Sequence, residues 1–340
     1  MNAPLRIGIA GIGRMGQRHA LNLAHRTLGA QLVAACSPVD SELDWAKEKL
    51  NVKHLYRDYK DLLAHPGLDA VFLVTPTNLH ADQIIQALQA GKHVFSEKPL
   101  ALNIPDCLKV EQEAMKYPKQ KVMIGFVRRF DPSYRDAYDK VKAGLIGRPF
   151  LVRSQTADQN DPSGFFVRFA PTSGGAMLDM SVHDIDVARW FLGAGGAKRV
   201  YAAGTIAIHK GLAECGDVDN GVAICEFGDG QIACFYASRT MAHGHETLSE
   251  IIGTQGRLMV GQNPRIDRVE ISDAHGVRNE CTPTFYERFS EAFQLEAQAF
   301  VDTVTGDLPM PLTLRDATEA TRIGIALTQS LRSGRAVDVE

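Results

Sequence analysis

The chain has 340 residues, 45% of them hydrophobic and 23% charged, with a net charge of −3. That length is generous for one core and points to two domains of an ordinary globular protein. The near-balance of charge gives no electrostatic case for a nucleic-acid or membrane partner, and no apolar run reaches the ~20 residues of a membrane helix. The opening MNAPLRIGIAGIG has neither a basic n-region nor a small-residue cleavage site. Cys36, Cys107, Cys215, Cys225, Cys234 and Cys281 are scattered without a CxxC or close pairing. That spacing argues against a disulfide framework or a structural zinc. A cytoplasmic location, reduced thiols and no metal are expected.

Leu5–Ala10 is an apolar run that predicts a buried strand. Gly11, Ile12, Gly13, Arg14, Met15 and Gly16 follow at once, and a helix-compatible segment runs to about Arg26. Glycines at this spacing, between a strand and a helix, are the dinucleotide-binding pattern. Gly11 permits the tight turn, Gly13 lets the backbone approach a pyrophosphate, and Gly16 lets helix and strand pack closely. The free N–H groups of the helix start then face the phosphates. The next strand, Gln31–Cys36, runs into Ser37-Pro38, where an acidic residue would ordinarily hold the ribose 2′-hydroxyl of NAD. Ser37 takes that place. The following loop carries Asp40, Glu42 and Asp44 and no arginine, poor company for a 2′-phosphate. NAD is therefore favoured over NADP.

Helices are expected over about Glu42–Leu50 and Tyr59–Ala64, then a buried strand over Ala70–Val74. Thr75-Pro-Thr-Asn-Leu-His80 leads into a helix ending near Ala90. A strand over His93–Phe95 runs into Glu97-Lys98-Pro99, a helix reaches Lys116, and a strand covers Val122–Phe126. This alternation predicts an α/β domain with a doubly wound parallel sheet over residues 1–125, whose ligands lie beyond the carboxyl ends of its strands. Gly11–Gly16, Thr75–Asn78, Glu97–Pro99 and Phe126–Arg129 all fall on such ends.

Past residue 145 the texture becomes β-rich, over Pro149–Gln155, Arg199–Ile208, Val222–Phe227, Gln231–Arg239 and Leu248–Ile252, with turn signals at 228–230 and 255–256. A helix over 174–193 interrupts the strands, and helices over about Tyr286–Thr305 and Arg315–Arg332 close the chain. Residues 126–340 thus read as an α+β domain, a large open, mainly antiparallel sheet with helices on one face.

In the segment GGAMLDMSVHDIDVARWFLG (174–193), helical winding puts Asp179, His183, Asp186 and Trp190 on one line. Apolar residues flank that line on both sides, and Ser181, Asp184 and Ala188 are expected to face solvent. A carboxylate and an imidazole in such a setting need partners. Oxidising an alcohol by hydride transfer requires a base for the hydroxyl proton and firm placement of the carbinol carbon. His183 suits the base. Asp179 can orient its ring or accept a substrate hydroxyl, and Lys98, at a strand end, can polarise the alcohol oxygen and stabilise a developing alkoxide. Asp186 is expected to hold a backbone group or an arginine. His243 and His245 have a spacing found in metal sites, but nothing nearby completes one.

GIGRMG, TPTNLH at 75–80, EKPL at 97–100 and the GG-x3-D-x3-HDID run at 174–186 together resemble the Gfo/Idh/MocA oxidoreductases. RRFDPSY (128–134), LDMSVHDID and GHETLSEIIGTQGRL (244–258) look most like the inositol 2-dehydrogenase branch. The resemblance spans the chain and implies a Rossmann domain followed by the open-sheet domain. It implies Lys98, Asp179 and His183 as a catalytic triad acting on a cyclic polyol such as scyllo- or myo-inositol. It places the cofactor against Gly11, Ile12, Gly13, Arg14, Met15, Gly16, Ser37, Thr75, Pro76, Thr77, Asn78, His80, Glu97 and Lys98. It also places substrate against Lys98, Arg128, Asp158, Asp179, His183 and His245, and it implies a homotetramer packed through the open sheet face. A surface salt bridge for Arg128, a loop cap for Asp158 and helix-start architecture for His80 are the plainer readings. Arg168, Asn160 and Tyr236 are further unranked substrate contacts. An aldose dehydrogenase acting on a pyranose such as L-glucose, and a cofactor-binding metabolite sensor without catalysis, are the alternative functions.

Overall fold

The computed structural model describes residues 3–262 and 265–339. The chain divides into two compact units, Met1–Val127 with Glu291–Thr318, and Arg128–Ser290 with Glu319–Glu340.

The first unit carries β1 (Leu5–Ala10), α1 (Arg14–His25), β2 (Ala30–Cys36), α2 (Asp40–Leu50), β3 (His54–Tyr56), α3 (Tyr59–Leu63), β4 (Ala70–Leu73), α4 (His80–Gln89), β5 (His93–Glu97), α5 (Ile104–Lys116) and β6 (Val122–Gly125). The strands form one parallel sheet in the order β3-β2-β1-β4-β5-β6. Strand order reverses between β1 and β4, so the turns after these two strands flank the switch point where such sheets bind ligands. Phe72 on β4 and Phe95 on β5 are register partners. Their rings stack at 4.4 Å, with Phe300 edge-on to each. Phe300 belongs to the helix Ser290–Thr305, so the excursion Glu291–Thr318 groups with the parallel sheet rather than with the remainder of 126–340. Its buried Phe293, Ala297 and Phe300 cover aromatic surface the sheet would otherwise expose.

The second unit carries α6 (Pro132–Lys142), β7 (Pro149–Gln159), α7 (Phe165–Ser173), α8 (Ala176–Asp179), α9 (Ser181–Leu192), β8 (Ala197–Thr205), β9 (Asn220–Phe227), β10 (Ile232–Met241), β11 (Glu246–Gly253), β12 (Gly256–Val260), a small hairpin of β13 (Ile271–Asp273) and β14 (Gly276–Arg278), and α10 (Phe285–Arg288). The helix at Ser290–Thr305 is α11. α12 (Leu314–Ser333) and β15 (Val337–Asp338) follow. The seven-stranded sheet runs β12-β11-β7-β10-β9-β8-β15, and its β7–β10 pair is parallel while the other pairs are antiparallel. Side chains alternate as a one-sided sheet requires. On β9, Ala223, Cys225 and Phe227 are buried while Val222, Ile224 and Glu226 face out. α9 packs against β7 and β10.

Three local findings go beyond or against the expectations. The segment 174–193 is two helices, α8 and α9, joined at Met180 and entered through Gly174 and Gly175, both at positive φ. A Cβ on Gly174 would come within 2.6 Å of Leu178, so only glycine fits that entry. The segment Phe165–Ser173, absent from the sequence reading, is helical, with Phe165 and Phe169 stacked one turn apart at 5.3 Å. Third, the expected solvent face of α9 does not exist: Ser181, Asp184 and Ala188 are each fully buried. Ten of the twelve α9 residues are buried, so the polar ones serve the core rather than water.

Among the described residues no helix is long and apolar enough to cross a membrane. Cys36, Cys215, Cys225, Cys234 and Cys281 are free thiols.

Candidate active site

In the first unit, the turn after β1 is shaped for close approach. Gly11 sits at φ +88°, where a Cβ would meet the Val74 carbonyl oxygen at 2.4 Å. A Cβ on Gly16 would strike the Gly11 carbonyl oxygen at 1.9 Å. At Gly13, by contrast, a Cβ would meet only the Glu42 carboxylate, at 3.6 Å. Gly13 is the N-cap of α1, with no side-chain cap and no acidic residue in the first turn. The orphan N–H groups there are capped by no side chain, which suits a pyrophosphate. Ile12 is buried beneath the turn, Arg14 is exposed and Met15 is half-buried.

The acid missing after β2 is supplied from α2. Buried Ser37 donates its hydroxyl to Glu42 Oε2 at 2.5 Å and accepts the Val39 N–H at 3.1 Å. Glu42 thereby stands beside both Ser37 and Gly13, bringing a carboxylate to the strand end where the ribose hydroxyls of NAD are gripped. Asp40 turns away to pair with Arg57 on the surface.

After β4, the Thr75 hydroxyl donates to Gln83 at 2.6 Å, while Pro76 and Asn78 are exposed and Thr77 is half-buried. His80 is more than helix-start architecture. It is buried, with Nδ1 2.9 Å from the Pro99 carbonyl oxygen and Nε2 2.9 Å from that of Thr75. The ring thus ties the Thr75 loop to the segment just beyond Lys98. Burial lowers its pKa against the raising effect of those two carbonyls and of Glu97. Lys98 itself follows the last residue of β5. Its backbone N–H donates to Glu97 Oε2 at 3.2 Å, and Glu97 Oε1 is 2.7 Å from His19 Nε2 on α1.

In the second unit, Asp179, His183 and Trp190 are the residues of 176–192 that keep partial exposure. The expected line thus survives the break at Met180, as the one accessible edge of an otherwise buried helix pair. Its fourth member, Asp186, is buried and accepts a two-pronged pair from Arg129 at 2.8 and 2.6 Å, the arginine partner expected for it. Trp190 stacks on Tyr138 at 4.2 Å.

Asp179 Oδ2 accepts from Arg239 Nη2 at 3.3 Å, and Arg239, which is 1% exposed, also reaches Asp217 Oδ2 at 3.4 Å. The guanidinium lies 5.2 Å from the Phe166 ring centroid. Asp217 in turn accepts the Ala176 N–H at 2.9 Å, capping α8. The sequence reading passed over Arg239. Its signal is strand parity, for Arg239 shares the inward face of β10 with Ala233, Phe235 and Ala237.

Asp158 and His245 come together: His245 Nδ1 is 2.9 Å from Asp158 Oδ1. The His245 ring is buried near Phe285 and Phe289, and its Nε2 has no hydrogen-bond partner. Arg128 is not a surface residue. It is 2% exposed, and it donates to Asp184 at 2.7 Å and to Thr156 at 2.5 Å. Asp184 also accepts from Ser154 at 2.6 Å and Thr156 at 2.7 Å. Tyr236 donates to Asn220 at 3.1 Å, Arg168 is exposed and bonded to the Ser163 carbonyl, and Asn160 Oδ1 is buried without a partner. His243 pairs on the surface with Glu246.

Residues 5–126 match the oxidoreductase family model described as an NAD-binding Rossmann fold, and residues 134–259 match the C-terminal domain model of the same family. The chain belongs to the Gfo/Idh/MocA oxidoreductases. Over 340 residues it is 37% identical to scyllo-inositol 2-dehydrogenase (NAD(+)) of Bacillus subtilis, covering 100% of this chain and 98% of that protein. It is 33% identical to myo-inositol 2-dehydrogenase of Thermotoga maritima, covering 99% of each. The crystal structure of scyllo-inositol dehydrogenase from Lactobacillus casei with bound NAD(H) and scyllo-inositol superposes with a TM-score of 0.95 at 39% identity, covering 98% of this chain and 99% of that one. The chain is an NAD-dependent oxidoreductase of CH–OH groups in the inositol 2-dehydrogenase branch. The uncapped α1 start, the open face of Gly13 and the Glu42 carboxylate fit that cofactor.

Proposed function

We propose that the enzyme oxidises a secondary hydroxyl of scyllo- or myo-inositol to the ketone, with Lys98, Asp179 and His183 as its catalytic residues. The observation that carries this reading is the Asp179–His183 edge, half-exposed on a buried helix pair and backed by the buried Arg239. NAD supplies the hydride acceptor when bound. His183 takes the hydroxyl proton as the carbinol C–H leaves with its electron pair. The Lys98 ammonium donates to the reacting oxygen and stabilises its developing negative charge. Asp179, fixed by Arg239, accepts from a substrate hydroxyl and holds the ring. The Asp158–His245 pair offers a further hydroxyl contact through the unpartnered Nε2 of His245. Arg128 is assigned to supporting α9 through Asp184, because both of its terminal nitrogens already bond within the core.

The outward sheet face exposes Tyr201, Val222, Ile224 and Ile232. An apolar row of this kind supports a homotetramer packed through that face. A cytoplasmic location suits the free thiols of Cys36, Cys215, Cys225, Cys234 and Cys281.

The test is NADH production over a panel of inositols, pyranoses including L-glucose, and sugar acids. Turnover with scyllo- or myo-inositol at the highest kcat/KM supports the reading. Preference for a pyranose oxidised at its anomeric carbon replaces it with the aldose dehydrogenase. NAD binding without turnover on any member replaces it with the sensor.

A further inference from the structure

The first unit brings three ionisable side chains together, two of them fully buried. His19 on α1, Glu97 at the end of β5 and Glu296 on α11 each bring one polar atom within 4.8 Å of the others. Phe72, Phe95 and Phe293 surround them, their centroids 6.1, 5.4 and 5.6 Å from that of the His19 ring. Glu97 is fully engaged, one oxygen with His19 and the other with the Lys98 N–H. Glu296 is not. It is 0% exposed, and neither of its carboxyl oxygens has a hydrogen-bond partner. An ionised carboxylate there would lack hydration and hydrogen bonds and would face a second carboxylate, a combination proteins avoid by keeping a proton.

We propose that Glu296 is the proton-bearing member of this cluster and a positioning residue for Lys98, its acid O–H donating to the Glu97 carboxylate. A side-chain rotation closes the remaining span. Glu97 then holds α1 through His19, α11 through Glu296 and the backbone of Lys98, so two helices fix the strand end from which the lysine projects. The inference rests on Lys98 being catalytic, as read above. The groups facing Glu296 are His19 and Glu97, with Lys98 and His80 acting on Glu97 from beyond. On β6, a Cβ at Gly125 would come 3.5 Å from Glu296 Oε1. Burial, then the Glu97 charge, raise the Glu296 pKa well above the ordinary carboxylate range. Glu97 moves the other way. Burial acts to raise it, but the His19 hydrogen bond and charge, with Lys98 and His80, hold it low. Two carboxyls in one pocket driven apart in this manner carry one proton between them.

The cluster is also of metal-ligand type, so the experiment separates proton from ion. Infrared difference spectra of the full-length protein against E296Q at neutral pH are expected to show the C=O stretch of a protonated carboxyl in the wild type. A folded pKa above the unfolded one stabilises below the unfolded value and loses that contribution as pH rises through the folded one. The wild-type Tm is therefore expected to fall toward alkaline pH more steeply than that of E296Q. E296L should lower kcat about tenfold or more by loosening the Lys98 strand end. E296Q, whose amide can donate in place of the acid, should restore it. Absence of the infrared band, E296Q as impaired as E296L, or stoichiometric Zn2+ binding lost in E296Q would each overturn the proposal. Should no polyol turn over in the wild type, the role of Lys98 fails, while the band and the Tm slope still judge the cluster.

Discussion

Arg239 donates to Asp179 from inside the core of the second unit, 3.3 Å away and 1% exposed, with Asp217 as its other carboxylate partner. A buried guanidinium between two carboxylates fixes both in place, and its planar fork matters as much as its charge. R239K keeps the charge and loses the fork. Its kcat/KM for the polyol is expected to fall by roughly tenfold or more, about 1.4 kcal/mol per decade, with an unchanged Kd for NAD measured by titration. Wild-type kcat/KM in R239K would remove Arg239 from the account.

The Ser37–Glu42 contact makes a prediction about the cofactor. Replacing Glu42 by Gln removes the carboxylate that lies beside Gly13 and Ser37. A hydrogen bond to a charged group contributes roughly 1.5–3 kcal/mol, so KM for NAD should rise about tenfold or more while KM for NADP falls. Unaltered constants for both cofactors would show that the ribose is held elsewhere.

The Arg128–Asp184 pair is expected to dominate stability around α9. Both residues are buried, and removing one partner strands a charge, at a cost of about 3–5 kcal/mol. D184A should therefore unfold at markedly lower denaturant concentration. A double Arg128→Leu, Asp184→Leu replacement should be less damaging than the single-mutant losses add up to. Additive losses would show that the two residues do not act as a pair.

On the acid side, His80 is expected to be visible in stability. Burial lowers its pKa from the ordinary 6.5. A histidine depressed in the fold binds its proton more readily when unfolded, so stability is lost as pH falls below that value. His65 and His93 shift the same way, chiefly by burial, and contribute to the same slope. Tm measured between neutral pH and the acid range should drop in the wild type and drop less in H80N. Equal slopes would contradict a lowered pKa for His80 in the fold.

Much of this was readable in the sequence, for identifiable reasons. The glycines at 11, 13 and 16 each have a steric or approach requirement that spacing alone conveys, and Asp186 found its arginine. Asp184 was misplaced because a helical wheel presumes a wet side, and α9, buried almost throughout, has none. Arg239 was legible by strand parity, since it ends the expected strand Gln231–Arg239 on the same face as Ala233, Phe235 and Ala237. Glu42 escaped because the acid arrives from the next helix, folded back onto Ser37, where the pattern expects it at the strand end. Glu296 gave no signal at all. On an amphipathic helix a glutamate reads as surface, and only the tertiary structure shows both of its oxygens buried without a partner.

The central claim is that His183 takes the substrate proton. The most direct test is the pre-steady-state rate of NADH formation with scyllo- or myo-inositol in wild type and H183A, at saturating NAD. A fall of about two orders of magnitude or more is expected, the usual contribution of a general base, with NAD binding intact. A rate in H183A within a few-fold of wild type would contradict it.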